Sequence, residues 1–185
     1  MNVLSALATP KSHLRKALYH LSWILGGSLF LGLMAQLSLP LWFTPVPLSM
    51  LSLGVLIVGA ILGSRKGALA VLAFLAEGAS GLPFFGGFSS GLPILFGATG
   101  GYLFGCVVAA FVVGFFFERG CSAKYLLLAL LLGSAIILTA GALWLGCIVG
   151  FQSAFALGFY PFILGDLLKV GAAATLLPIV SRWKQ

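Results

Sequence analysis

The sequence is organised as apolar runs separated by short connections of two alternating kinds. Six runs are read as helices: Leu18–Ser38, Leu48–Gly63, Gly67–Ala79, Ile94–Phe117, Tyr125–Gly150 and Ala156–Ser181. A bilayer span needs about 20 apolar residues. The second and third runs fall short of that and are expected to tilt or to continue into flanking apolar loops. Lys11, Arg15 and Lys16 precede the first run, and Arg65 and Lys66 separate the second from the third. Arg119 and Lys124 lie between the fourth and fifth, and Arg182 and Lys184 follow the sixth. The alternate connections, Leu39–Pro47, Ser80–Pro93 and Phe151–Ala154, contain no Lys or Arg. Nine of the ten basic residues therefore fall on one side, which the positive-inside rule makes cytoplasmic. The pattern predicts an all-α integral membrane protein of six transmembrane helices with both termini cytoplasmic. Residues 1–185 form a single transmembrane domain, with 1–17 a cytoplasmic segment and 18–181 the bundle.

Composition agrees and removes the main alternative. The chain is 61% hydrophobic and 7% charged, whereas soluble domains carry roughly 25% charged residues. So few charges cannot furnish a polar shell, and lipid is the solvent for most of the surface. A net charge of +7 invites comparison with nucleic-acid binders, but the basic residues sit in small groups between apolar runs, so no nucleic-acid partner is expected. The first run is too long for the apolar core of a cleaved leader. Cys106, Cys121 and Cys147 lack metal-ligand spacing and are read as packing residues.

The uncharged connections are rich in Gly, Pro and aromatics, as in Phe43-Thr44-Pro45-Val46-Pro47 and Gly81 to Pro93. Irregular backbone cannot face lipid with its amides unsatisfied, although it is tolerated where it lines a cavity. These segments are read as a lid or pocket wall, the alternative being ordinary surface turns.

Three charges lie within the apolar runs: Glu77, Asp166 and Lys169. A charge at bilayer depth costs at least ~2.5 kcal/mol on insertion scales and usually faces a cavity or a partner. Asp166 and Lys169, three residues apart, share a helix face. Counted from the uncharged connections, all three fall in the outer half of the bundle, which predicts a polar pocket beneath the outer loops. The blander alternative is a pair that only neutralises itself for insertion. Ser28 and Gly32 form a small-xxx-small step on the first helix; it packs either on this chain's own bundle or on another subunit, and is taken as the candidate subunit contact.

Catalytic apparatus is missing. No G-x-x-x-x-G-K-[ST] phosphate loop is present. His13 and His20 lie near the cytoplasmic edge, away from the outer carboxylates, and two carboxylates are too few for a metal. No enzyme activity, metal or cofactor is expected.

Four segments resemble a known family. Gly97-Ala98-Thr99-Gly100-Gly101-Tyr102-Leu103 is similar to the GPTGGYL signature of the substrate-binding subunits of biotin transporters (BioY) of the energy-coupling factor (ECF) type. Leu164-Gly165-Asp166-Leu167-Leu168-Lys169 resembles that family's PGDLLK, Gly81-Leu82-Pro83-Phe84-Phe85 its GLPVF, and Pro45-Val46-Pro47-Leu48-Ser49 its P-V-P-x-T. Ala98 and Leu164 replace prolines, and Leu51 stands where glutamine is common. The resemblance implies an ECF S-component-like bundle that captures biotin as a transported substrate. It further implies a coupling subunit and two ATPase subunits as partners, a bacterial cytoplasmic membrane as location, and import by reorientation of the loaded subunit.

With biotin as ligand, Asp166 is assigned to accept a ureido N–H and Lys169 to donate to the ureido carbonyl or to the carboxylate. Tyr102 contributes a hydroxyl, and Phe85 encloses the apolar ring and chain. Gly87, Ser90 and Thr99 supply backbone or hydroxyl contacts, Glu77 completes the polar set, and Thr44, Pro45 and Val46 form the lid. Glu77 and Asp166 against Lys169 set the pocket at −1, so an anionic ligand would make it −2. An S-component for another vitamin, a stand-alone secondary transporter and a structural membrane protein are the competing readings.

Overall fold

The computed structural model describes residues 9–119 and 123–182, with side chains at 15–119 and 125–177. Lys11, His13, Cys121, Lys124, Arg182 and Lys184, on which part of the charge pattern rests, fall outside the described side chains. The chain runs α1 (Thr9–Gln36), β1 (Ser38–Leu39), β2 (Leu48–Ser49), α2 (Leu51–Leu62), α3 (Ser64–Ala79), a 3-10 turn (Gly86–Phe88), α4 (Leu92–Phe96), α5 (Gly100–Glu118), α6 (Ala123–Val149), α7 (Phe151–Gly158) and α8 (Tyr160–Arg182). β1 and β2 pair antiparallel, Ser38 opposite Ser49 and Leu39 opposite Leu48, and pinch the first outer connection at its root.

Four described stretches are long and apolar enough to cross a membrane: Arg15–Gln36, Gly100–Glu118, Tyr125–Val149 and Phe151–Leu177. α2 is apolar but has 12 residues, and α3 has 16 and carries Arg65, Lys66 and Glu77. The architecture is thus four membrane-length stretches with two shorter helices packed among them. Three expected boundaries move. The fourth run is two helices, because Gly97 is extended and Gly97–Thr99 breaks the ladder before α5. The sixth begins at Tyr160, after α7, which takes up the whole of the expected outer connection. Arg65 and Lys66 lie in the first turn of α3 rather than in a loop.

That last shift follows from a one-residue connection. Gly63 sits at φ +84, a region glycine enters at no steric cost, and joins α2 directly to α3. Cations in a first helical turn oppose the macrodipole. Glu118, at the end of α5, offsets this: its carboxylate accepts the Ser64 N–H at 2.9 Å and the Ser64 hydroxyl at 2.8 Å. Arg119 beside it stacks on Phe115, 3.8 Å from the ring centroid.

Packing in lipid depends on close approach, since lipid tails are as apolar as the side chains. At Gly59, α2 lies so near α5 that a Cβ would fall 2.6 Å from the Ala110 carbonyl. Two apolar clusters divide the bundle. Leu31, Val55, Val71, Phe74 and Ala109 join α1, α2, α3 and α5. Leu56, Val113, Leu130, Val170 and Leu177 join α2, α5, α6 and α8 towards the Gly63 end. A third, smaller cluster seats Val46 of the first outer connection against Leu138, Leu145 and Phe162.

Candidate functional site

Where the third cluster meets the first, the bundle holds a cavity of about 370 Å³, within the range of small-molecule sites, roughly 300–1,000 Å³. Its walls come from the outer connections and the outer ends of the helices, and the second cluster closes it below.

The polar floor is built by α8. Asp166 and Lys169 are 5% and 7% exposed, and the three-residue spacing brings Lys169 Nζ to 3.1 Å from Asp166 Oδ1. Two hydroxyls complete the network. Ser134 of α6 donates to Asp166 Oδ2 at 2.8 Å, and Lys169 donates to Ser52 Oγ of α2 at 2.9 Å. The network crosses three helices, and Ser52, Asp166 and Lys169 face the cavity while Ser134 supports Asp166 from behind. Each carboxylate oxygen keeps a free lone pair. Lys169, with three N–H groups and two partners, keeps one donor.

The walls are apolar and held in place. Phe85, 2% exposed, meets Phe74 edge-on at 5.6 Å, and both line the cavity. Tyr102 lines it from α5 and donates its hydroxyl proton to the Gly158 carbonyl at the end of α7, leaving its oxygen as an acceptor. Thr99 lines the cavity at the break before α5, its hydroxyl turned to the Ile94 carbonyl at 3.4 Å. The same break is buttressed by Trp144 of α6, whose indole N–H donates to the Gly97 carbonyl at 3.0 Å. A Cβ on Gly101 would fall 2.2 Å from Trp144 Cβ, so this glycine of the GATGGYL segment serves helix approach. In the first outer connection, Pro45 and Val46 line the cavity, and Thr44, buried, accepts the Val46 N–H at 3.2 Å.

The structure separates three residues expected to bind the ligand from this cavity. Gly87 and Ser90 point outward, and Gly86 and Ser89 line the wall in their stead. A tight turn is the reason: Phe85 N–H donates to the Ser89 carbonyl at 3.1 Å, which puts Gly87, at φ +68, on the apex. Glu77 is not part of the lining. Its Oε1 accepts the hydroxyl of Ser28 at 3.0 Å between α3 and α1, and its Oε2 is buried without a partner among the described residues. Ser28, fully buried, is therefore an intrachain partner and not a subunit contact. Gly32 is likewise covered from within, a Cβ there falling 3.3 Å from the Phe84 ring. The polar floor is consequently neutral, one carboxylate against one ammonium, and an anionic ligand brings the cavity to −1, not −2.

Sequence reasoning missed Ser134, Ser52 and Trp144. Ser134 is a hydroxyl in a long apolar helix, but so is Thr139, which bonds back to the Ala135 carbonyl of its own helix at 2.7 Å. Residue type alone does not tell the two apart; the phase of α6 relative to Asp166 does. The described residues contain no group of three His, Cys, Asp or Glu able to hold a metal.

Comparisons place this geometry among known proteins. The family model described as BioY family matches residues 8–185. The chain is 39% identical over 132 residues to the probable biotin transporter BioY of Pyrococcus horikoshii, covering 71% of this chain and 78% of that one. It is 38% identical over 143 residues to the biotin transporter BioY of Thermotoga maritima, covering 77% and 83%. Among solved structures, it superposes on the S-component for biotin from an ECF-type ABC transporter with a TM-score of 0.77 and 25% identity, covering 91% of this chain and 93% of that one.

Proposed function

The chain belongs to the BioY family, and from that premise we propose that it captures biotin as the substrate-binding subunit of an ECF-type transporter. It is a multi-pass membrane protein and a transporter component, not an enzyme. The observation that carries the reading is the buried Asp166–Lys169 pair at the floor of an otherwise apolar cavity. Biotin has an apolar bicycle and chain, a ureido group that both donates and accepts, and a carboxylate. Asp166 accepts a ureido N–H, and the free Lys169 proton serves the ureido carbonyl. Phe85 and Phe162 enclose the ring and chain, while Tyr102 and Thr99 offer oxygen atoms along the wall. Gly86 and Ser89 take the backbone role first given to Gly87 and Ser90, and Thr44, Pro45 and Val46 form the lid. Because the floor is already neutral, the ligand carboxylate stays near the mouth.

In this reading six helices cross the bacterial cytoplasmic membrane with both termini inside, α2 and α3 crossing as a hairpin joined at Gly63. The sequence carries no G-x-x-x-x-G-K-[ST] phosphate loop, and in this reading a coupling subunit and two ATPase subunits supply the energy. Biotin itself is the cargo, and no cofactor is required. The test is calorimetric titration of the purified protein with biotin, with thiamine and riboflavin as controls. Selective, saturable biotin binding is the expected result. Binding of another vitamin in folded protein would transfer the site to that ligand, and no binding of any would refute the capture role.

A further inference from the structure

Gln36 is the last residue of α1, where the helix gives way to the first outer connection. Its side-chain nitrogen lies 3.1 Å from the Phe85 carbonyl, 3.2 Å from those of Phe84 and Pro83, and 3.3 Å from that of Gly32 in its own helix. Its side-chain oxygen accepts the Phe88 N–H at 2.8 Å. One carboxamide thus grips both limbs of the second outer loop, with its donor on one and its acceptor on the other. A carboxamide is suited to this because donor and acceptor sit on separate atoms.

The loop it grips is strained. Phe88 has φ +56, and among the described residues it alone is a non-glycine at positive φ. Aromatic residues rarely occupy that region, and such conformations persist only where the surroundings hold them. The Phe88 ring cannot be the cause, being 73% exposed. The hold is on its amide. One residue inward, the same turn presents Phe85, Gly86 and Ser89 to the cavity, although Gln36 itself does not line it.

We infer that Gln36 is the positioning residue of the ligand cavity: it fixes the strained Gly86–Phe88 turn so that Phe85, Gly86 and Ser89 face inward. Because Gln36 also leads into β1, it ties this wall to the root of the lid, joining the two outer loops through one side chain. The inference rests on reading the cavity as the ligand site.

The test uses the full chain in detergent with Gln36→Leu and Gln36→Glu. Amide hydrogen exchange of residues 82–91 is measured without ligand, and biotin association and dissociation rates are measured separately. In both variants exchange of that segment speeds up about tenfold while α6 is unchanged, the order expected for losing one or two hydrogen bonds. Biotin dissociation accelerates by a similar factor, with association within about twofold, since a loosened wall releases a ligand it still admits. Gln36→Glu keeps an acceptor for the Phe88 N–H but offers no proton to the carbonyls of residues 83–85, so it loosens as well. Exchange at the wild-type rate in either variant overturns the inference, and so does a loosened loop with unchanged biotin release, or a loss of protection spread over every helix. If wild-type protein binds no biotin, the capture reading fails, and the exchange data still decide whether Gln36 holds the turn.

Discussion

The Asp166–Lys169 pair invites a test that separates a ligand site from a device for membrane insertion. At 3.1 Å, and with an effective dielectric of about 20, the two charges attract by about 5 kcal/mol. Desolvation of both offsets much of this, so the pair contributes little net stability, whereas removing one partner strands a buried charge at a cost of about 3–5 kcal/mol. Lys169→Met leaves Asp166 with only the Ser134 hydroxyl, and Asp166→Asn leaves the Lys169 ammonium without a counter-charge, held only by neutral acceptors, Ser52 and the new amide oxygen. Each single variant is expected to lose stability by that amount. Asp166→Asn with Lys169→Met carries no stranded charge and is expected within about 1 kcal/mol of wild type, so the two single losses of at least about 3 kcal/mol each imply a coupling of at least about 5 kcal/mol between these neighbours. Biotin affinity behaves differently. All three variants lose about 1–3 kcal/mol of binding, because each unpairs a buried polar group of the ligand. The assay is unfolding in detergent for stability and calorimetry for affinity, on the same four proteins. A double variant that recovers both stability and affinity refutes the site assignment, and the pair then serves insertion alone. Single variants as stable as wild type refute the burial argument.

Other substitutions give sharp outcomes. Glu77→Gln should keep biotin affinity within about twofold, since Glu77 bonds Ser28 outside the cavity; calorimetry showing a loss of affinity equal to one hydrogen bond, about 1 kcal/mol, would return Glu77 to the site. Gly101→Ala forces a methyl to 2.2 Å from Trp144 Cβ and should destabilise by about 1–3 kcal/mol, read as a lowered unfolding midpoint together with weaker binding. Glu118→Ala removes both bonds to Ser64 and should cost about 0.5–2 kcal/mol of stability while leaving biotin affinity unchanged, since the cap lies at the far end of the bundle.

Much of this was legible in the sequence because it is written in residue type. The helical runs, the uncharged loops as pocket walls, and Asp166 with Lys169 as its floor all follow from where polarity does or does not occur. What escaped depends on phase and on departures from regular geometry. Glu77 carries the same charge as Asp166 but faces α1, and nothing in its spacing reveals that Ser28 waits opposite. The inward set of the second loop slipped by one residue, from Gly87 and Ser90 to Gly86 and Ser89, because positive φ at Gly87 and Phe88 folds the turn more tightly than an extended reading allows. Ser134 and Trp144 lie in α6, far along the chain from the residues they support, and only packing brings them there.

The contact of α2 with α5 at Gly59 has a consequence for traffic. Below the cavity, backbone touches backbone there, and Leu56, Val113, Leu130 and Val170 fill the remaining space. Above it stand the outer connections, pinned by a two-residue strand pair, the Gln36 carboxamide and the Trp144 indole. A solute in the cavity therefore meets its softer wall on the loop side, and a route out of the other end would demand prising apart helices whose backbones touch. In shape the protein is a flask and not a pipe: its cavity opens towards the loops and is stoppered by packed helices at the other end.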